Sequence, residues 1–117
     1  TNVWHPFLPH HPSNELAKKF LNVGPSCFLV EVDQYYICLD VAKHCKLFAN
    51  ATSLGGVQSS LEVKVDPIGF RISIGLENCE ELIADLDNAL ITSRKNFAES
   101  MVNRQPLPNV PSQEKEK

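Results

Sequence analysis

Arg71 sits in Phe70-Arg71-Ile72-Ser73-Ile74, an alternating run in which a strand would point Phe70, Ile72 and Ile74 one way and Arg71 and Ser73 the other. A guanidinium on the polar face of such a strand must reach water or an anion, and its planar fork matches a carboxylate bidentately. From the residues alone two readings stay open: an ion pair with an acidic neighbour such as Glu77 or Asp66, or a grip on an anionic ligand. The second candidate is Thr52-Ser53-Leu54-Gly55-Gly56, where two glycines permit a turn that side chains would forbid. Ser53 beside Gly-Gly is also ordinary turn chemistry, and no Ser-His-Asp order marks it as a nucleophile.

The remaining chemistry-bearing residues point to less. His5, His10 and His11 lie close together, but the surrounding prolines and the lack of a carboxylate at helical spacing argue for an exposed, stiffened connector with no metal site. His44, on an expected helix, reads as a surface or boundary residue. Cys27, Cys38, Cys45 and Cys79 form no C-x-x-C pair, so we expect reduced core thiols. Asn50-Ala51-Thr52 fits the glycosylation pattern, which matters only in a secreted chain.

These residues need a scaffold, and 117 residues with 43% hydrophobic and 21% charged content provide for one soluble domain with one core. The net charge of −3, with both signs interspersed, gives no reason to expect nucleic acid or an anionic membrane as a partner. No apolar run is long enough to span a bilayer, and the sequence opens on Thr1 without a signal-peptide pattern, so a cytoplasmic fragment or processed product is expected.

Prolines 6, 9 and 12 predict an extended leading segment over 1–12. A domain core over 13–94 follows, then a helix end and a disordered tail over 95–117, the tail from Gln105 onward. Ser13 or Asn14 caps a short helix from Glu15 to Leu21 that would bury Leu16, Phe20 and Leu21. Cys27 to Val32 reads as a strand. Gln34 to Lys46 reads as a helix with Tyr35, Leu39, Ala42 and Cys45 on its apolar side, and Leu47-Phe48-Ala49 as a short strand before the glycine loop. Asn78 caps the strongest helix, with Glu81 completing a capping box; its stripe is Cys79, Leu82, Ile83, Leu86, Ala89 and Leu90, and Glu80, Asp85 and Asp87 stay wet.

In combination these segments resemble the Cys/Met-metabolism (transsulfuration) family of pyridoxal-phosphate enzymes. Thr52-Ser53-Leu54-Gly55-Gly56-Val57 is similar to the family's S-L-G-G loop. Phe70-Arg71-Ile72-Ser73-Ile74-Gly75-Leu76-Glu77 is similar to its R-L-S-V-G-x-E strand, and Glu80 to Leu90 to its E-D-L-I-x-D-L-x-x-A-L helix. Pro6 to Pro12 with Glu15-Leu16-Ala17-Lys18 resembles its leading Y-P-G-L-x-x-H-P-x-H-E-L-A-K motif. The resemblance covers roughly Val3 to Leu90.

The resemblance implies an α/β fold, the small C-terminal domain of a fold-type-I enzyme, with a few-stranded sheet packed against helices. It implies a parent activity on cystathionine or a related sulfur amino acid, C–S cleavage or γ-replacement, with pyridoxal phosphate as the electron sink. It assigns Arg71 to the substrate α-carboxylate, Thr52 to the substrate side chain and Ser53, as a catalytic-site residue, to positioning the cofactor lysine. The family often has glutamate where this chain has Thr52, and usually an insertion where only Gln58 to Gly69 connects loop and arginine strand. None of the eight lysines has the S-x-T-K context of the cofactor lysine. The chain is therefore expected to be inactive alone, with the cofactor held by a large domain and homo-oligomerisation belonging to the complete enzyme. The alternative is a non-catalytic α/β binding or interaction module derived from that family.

Overall fold

Five strands and three helices run in the order β1 (Asn2–Trp4), α1 (Asn14–Phe20), β2 (Cys27–Glu31), α2 (Tyr35–His44), β3 (Ala49–Asn50), β4 (Ser60–Val65), β5 (Ile68–Ser73) and α3 (Cys79–Val102). This is a computed structural model, and it describes residues 2–103. The expected tail from Gln105 lies outside the described residues. The strands form one sheet in the order β1-β2-β5-β4-β3, antiparallel throughout except for the parallel β3–β4 edge. The α/β expectation holds: a mixed sheet carries α2 and α3 on one face.

Alternation builds the core. Phe28, Ile72 and Leu61 share one cross-strand row, and Val30, Phe70 and Val63 the next. Both rows face Ile37, Cys38 and Val41 of α2 and Leu82 and Ala89 of α3. Phe70 and Ile72 are 0% and 1% exposed, each burial stabilising by about 1.5–3 kcal/mol. The opposite face carries Trp4, Leu29, Arg71 and Glu62 in one row. Ser73 shares that face, as expected, but at 1% exposure it is covered and not wet.

Several expectations shift. The segment read as a bare connector, Gln58 to Gly69, contains β4, which pairs with β5 through a turn at Asp66–Pro67, a cis peptide. The signal was present in Leu61, Val63 and Val65 alternating with Ser60, Glu62 and Lys64. The short strand before the glycine loop begins at Ala49 and not at Leu47. Helix α2 buries Ile37, Cys38, Val41 and Ala42, while Tyr35, Leu39 and Cys45 lie at the boundary of the stripe.

Helix α1 does not bury its apolar side: Leu16, Phe20 and Leu21 are exposed, and Asn14 and Ala17 face inward. The Asn14 amide donates to the Pro6 carbonyl at 3.0 Å, so it turns in toward the leading segment, and neither Ser13 nor Asn14 caps the helix through its side chain. Asn78 does cap α3, accepting from the Glu80 and Glu81 amides at 2.9 and 3.1 Å. In α3, Cys79 and Ile83 of the expected stripe are exposed, and the helix runs on to Val102 with Phe97 packed on the core.

Gly69 is fully enclosed where β5 passes β2, and a Cβ there would press into the Val30 carbonyl oxygen. The atoms it would meet are backbone atoms of Val30 and Glu31, which cannot yield cheaply. Gly69→Ala should therefore destabilise by about 1–3 kcal/mol or more, read as a lowered urea midpoint; an unchanged midpoint would contradict the close β2–β5 approach.

All four cysteines are free thiols. Burial pushes the Cys38 thiol up to about 11 and the Cys45 thiol up to about 12, whereas Cys79 is exposed at the start of α3. Thiolate is the reactive form, so a thiol reagent at neutral pH should label Cys79 in the folded protein and leave Cys38 and Cys45 until unfolding. Mass mapping of the labelled sites checks this.

Candidate functional site

The alternation that buries Phe70 and Ile72 forces Arg71 onto the face away from the helices. Its partner there is neither Glu77 nor Asp66. Register places Glu62 of β4 directly opposite, and Arg71 Nη2 donates to Glu62 Oε2 at 2.8 Å. The other oxygen of the same carboxylate, Oε1, accepts from Lys64 Nζ at 3.1 Å. Hydrogen bonding from Lys64 and the charges of Lys64 and Arg71 hold the Glu62 carboxyl below its usual range, and the Thr52 hydroxyl adds to the effect. Thr52 and Arg71, both singled out in the sequence, thus both favour the charged form of a residue that was not. Arg71, Glu62 and Lys64 side chains remain 28%, 27% and 37% exposed, so an incoming ligand can reach them.

Ser53 is placed differently. Its Oγ accepts from the Gly56 and Gly55 amides at 3.0 and 3.4 Å, closing the turn on itself, with Gly55 at φ 135° as only glycine readily allows.

Two carboxylates fasten this loop to the scaffold. Asp85, expected to stay wet on α3, instead accepts from the amides of Lys46, Leu47 and Phe48 at 2.8, 2.8 and 3.4 Å, pinning the chain that leads into β3. Glu77 accepts from the Ser59 amide at 2.8 Å and the Ser59 hydroxyl at 2.7 Å. The Ser59 hydroxyl in turn accepts from the Gly75 amide at 2.8 Å, and Leu76 N donates to Val57 O at 2.8 Å. A Cβ at Gly75 would press into the Val57 carbonyl, so the glycine and the glutamate of the Gly75-Leu76-Glu77 stretch both serve to tie the end of β5 to the loop.

In the row beside Arg71 and Glu62, Ser73 and Ser60 oppose each other across β5 and β4, buried and with no hydrogen-bond partner for either hydroxyl among the described residues. The histidines are structural. His5 accepts from the Phe7 amide at 3.2 Å through Nδ1, so Nε2 carries the proton and donates to the Pro25 carbonyl at 3.0 Å. His10 Nε2 reaches Val3 O at 3.0 Å, and His44 Nδ1 reaches Asp40 O at 2.8 Å. Among the described residues no group of three or more His, Cys, Asp or Glu side chains could hold a metal ion, and no helix is long and apolar enough to cross a membrane.

No family model matches the chain. It is 34% identical over 104 residues to an L-alanine/L-glutamate racemase of Wolbachia pipientis, covering 75% of this chain and 26% of that protein. It is 30% identical over 107 residues to a cystathionine beta-lyase of Lactococcus lactis, covering 77% of this chain and 28% of that one. A solved O-acetylhomoserine (thiol)-lyase of Campylobacter jejuni, containing N'-pyridoxyl-lysine-5'-monophosphate, superposes with a TM-score of 0.72 at 30% identity over 77% of this chain and 23% of its own. The chain spans about a quarter of the length of the curated relatives it matches.

That cofactor does not fit the residues described here. Lys18, Lys19, Lys43, Lys46 and Lys95 are exposed, and Lys64 is engaged with Glu62 on an open sheet face, so no described lysine is held in a cradle for an aldehyde, a phosphate and a ring nitrogen.

The Glu77 carboxyl is held below its ordinary 4.5, chiefly by the Ser59 amide and then the Ser59 hydroxyl. A depressed folded value means that the stabilisation is complete above the unfolded value and is lost as pH falls through the folded one. Glu77→Gln should lower the melting temperature at pH 7, and the gap from the unsubstituted chain should close as pH falls through and below the ordinary carboxylate range. A gap that is constant with pH would show that the Glu77 charge is not what holds the loop.

Proposed function

Because the chain is a partial member of the transsulfuration family of pyridoxal-phosphate-dependent enzymes, matching about a quarter of its relatives' length, we propose that it forms the part that holds the substrate carboxylate. The observation that carries this reading is Arg71 itself: a partly exposed guanidinium on the open sheet face, paired with Glu62, whose charge Thr52 also favours, while Glu77 anchors Ser59 after the glycine loop. The substrate class is a sulfur amino acid such as cystathionine, processed by C–S cleavage or γ-replacement. Arg71 orients the substrate through its carboxylate, which fixes the geometry of the reacting carbon and lowers the entropic part of the barrier. Thr52 lines the substrate side-chain position, and Ser53 offers its hydroxyl proton to a group from outside the chain.

In this reading the cofactor and its lysine come from a large domain, and the complete enzyme is a homo-oligomer. The exposed apolar side chains Leu54, Val57 and Leu76 around the loop support a covering partner of that kind. The free thiols fit a reducing, cytoplasmic setting.

A second reading has one observation in its favour. The Arg71–Glu62 pair is what a structural ion pair in a non-catalytic interaction module would look like. Joining the chain to a pyridoxal-phosphate-binding large domain and assaying L-cystathionine turnover separates the two. Arg71→Ala should lower kcat/KM by about a hundredfold or more, since each hydrogen bond to a charged group is worth about 1.5–3 kcal/mol. Arg71→Lys should recover only part, keeping the charge without the fork. Melting temperatures should move little, because the core rows lie on the other face. Unchanged turnover with a sharply lowered melting temperature would establish the structural reading.

A further inference from the structure

Arg71 faces a carboxylate that belongs to the chain itself, in the position a ligand carboxylate would take. Antiparallel register puts Glu62 directly across from it, so the two Cβ atoms are held about 4.5–5.5 Å apart and the pair can separate only by side-chain rotation. Lys64 lies two residues further along β4 and therefore on the same face, with Nζ already 3.1 Å from Glu62 Oε1. The cluster holds two cations and one carboxylate. The directly bonded groups are one positive charge in excess, with Glu31 the next carboxylate on that face, in the row of Gly69 and Lys64, and that excess suits one more carboxylate. Glu62 is also the sole hydrogen-bond partner of Arg71 among the described residues, through Nη2 only, so most of the guanidinium edge is unused.

We infer that Glu62 is a movable counter-ion: a ligand carboxylate docks on Arg71 while Glu62 rotates off it and is received by Lys64. This rests on the reading of Arg71 as a carboxylate holder and adds two positioning residues to it. Without a ligand, Glu62 keeps Arg71 extended and neutralised on an open face. With a ligand, Lys64 holds the displaced carboxylate, so it is not left facing the incoming charge unpaired. Glu62 thereby selects against weak carboxylates, because any ligand must outcompete a tethered one, whose effective concentration is high.

The test titrates L-methionine into the full 117-residue chain and reads affinity by calorimetry in every variant, with the Arg71 side-chain Nε–H resonance reporting engagement of the guanidinium wherever Arg71 is present and L-methioninamide as the probe lacking a carboxylate. Glu62→Gln keeps the shape but not the charge, and should bind L-methionine about tenfold more tightly than the unsubstituted chain. Lys64→Met should weaken binding several-fold. In the Glu62→Gln/Lys64→Met double variant the Lys64 effect should vanish, because there is no displaced carboxylate to receive. L-methioninamide should bind none of them through Arg71.

Equal affinity of the unsubstituted chain and Glu62→Gln overturns the counter-ion proposal while leaving the carboxylate reading intact. So does a Lys64→Met penalty that is the same with and without Glu62, since that is simple long-range attraction. Binding that survives Arg71→Ala, or equal binding of L-methionine and its amide, overturns the underlying carboxylate reading, and the absence of binding in every variant overturns both.

Discussion

The constraint on which the rest of the molecule depends is the central position of β5. It is hydrogen-bonded to β2 on one side and β4 on the other, and its Phe70 and Ile72 are sealed against the helices. A strand paired on both edges and buried on one face has no freedom to slip, since a one-residue shift would exchange every inward and outward side chain. Arg71 is therefore presented on the far face by the same apolar packing that stabilises the domain, and its neighbours across the sheet, Leu29 and Glu62, follow from register alone. Gly69 belongs to the same constraint, giving β2 room to approach where a side chain would hold it off.

A second layer of interactions converts that fixed strand into a fixed loop. Ser59 sits between Glu77, Gly75 and Ala49, accepting, donating and bridging in a site with no exposure of its own. Asp85 performs the matching task from α3, collecting three successive backbone amides ahead of β3. Backbone donors that end a helix or enter a strand need partners when water is restricted, and carboxylates accept them more strongly than neutral groups. The glycine loop with Thr52 and Ser53 is held from both ends by these anchors, which is why a turn with few side-chain contacts of its own can have a defined place beside Arg71.

The outer face is electrostatically unbalanced where the core is not. Exposed ion pairs contribute little to stability because water screens them and long side chains lose entropy in forming them. The pairs of Glu62 with Arg71 and Lys64 therefore add little to the stability that the buried face supplies.

What the sequence determined by itself is the set of local decisions. The alternation of Phe70 to Ile74 placed Arg71 on a polar face, Asn78 marked the start of α3, and the glycines marked the loop at Gly55 and Gly56. These are legible because each depends on residues within a few positions of one another. Tertiary structure decided the pairings. Glu62 was unremarkable in sequence and Glu77 and Asp66 were the nearer acidic candidates, yet strand register, a long-range property, brought Glu62 across from Arg71. Asp85 has the spacing of a solvent-facing helix residue, yet the chain before β3 crosses its carboxylate. Leu16, Phe20 and Leu21 have a buried helix's spacing, but no described element packs on them. Spacing along a helix states which residues share a side; only the placement of the other elements decides whether anything covers it.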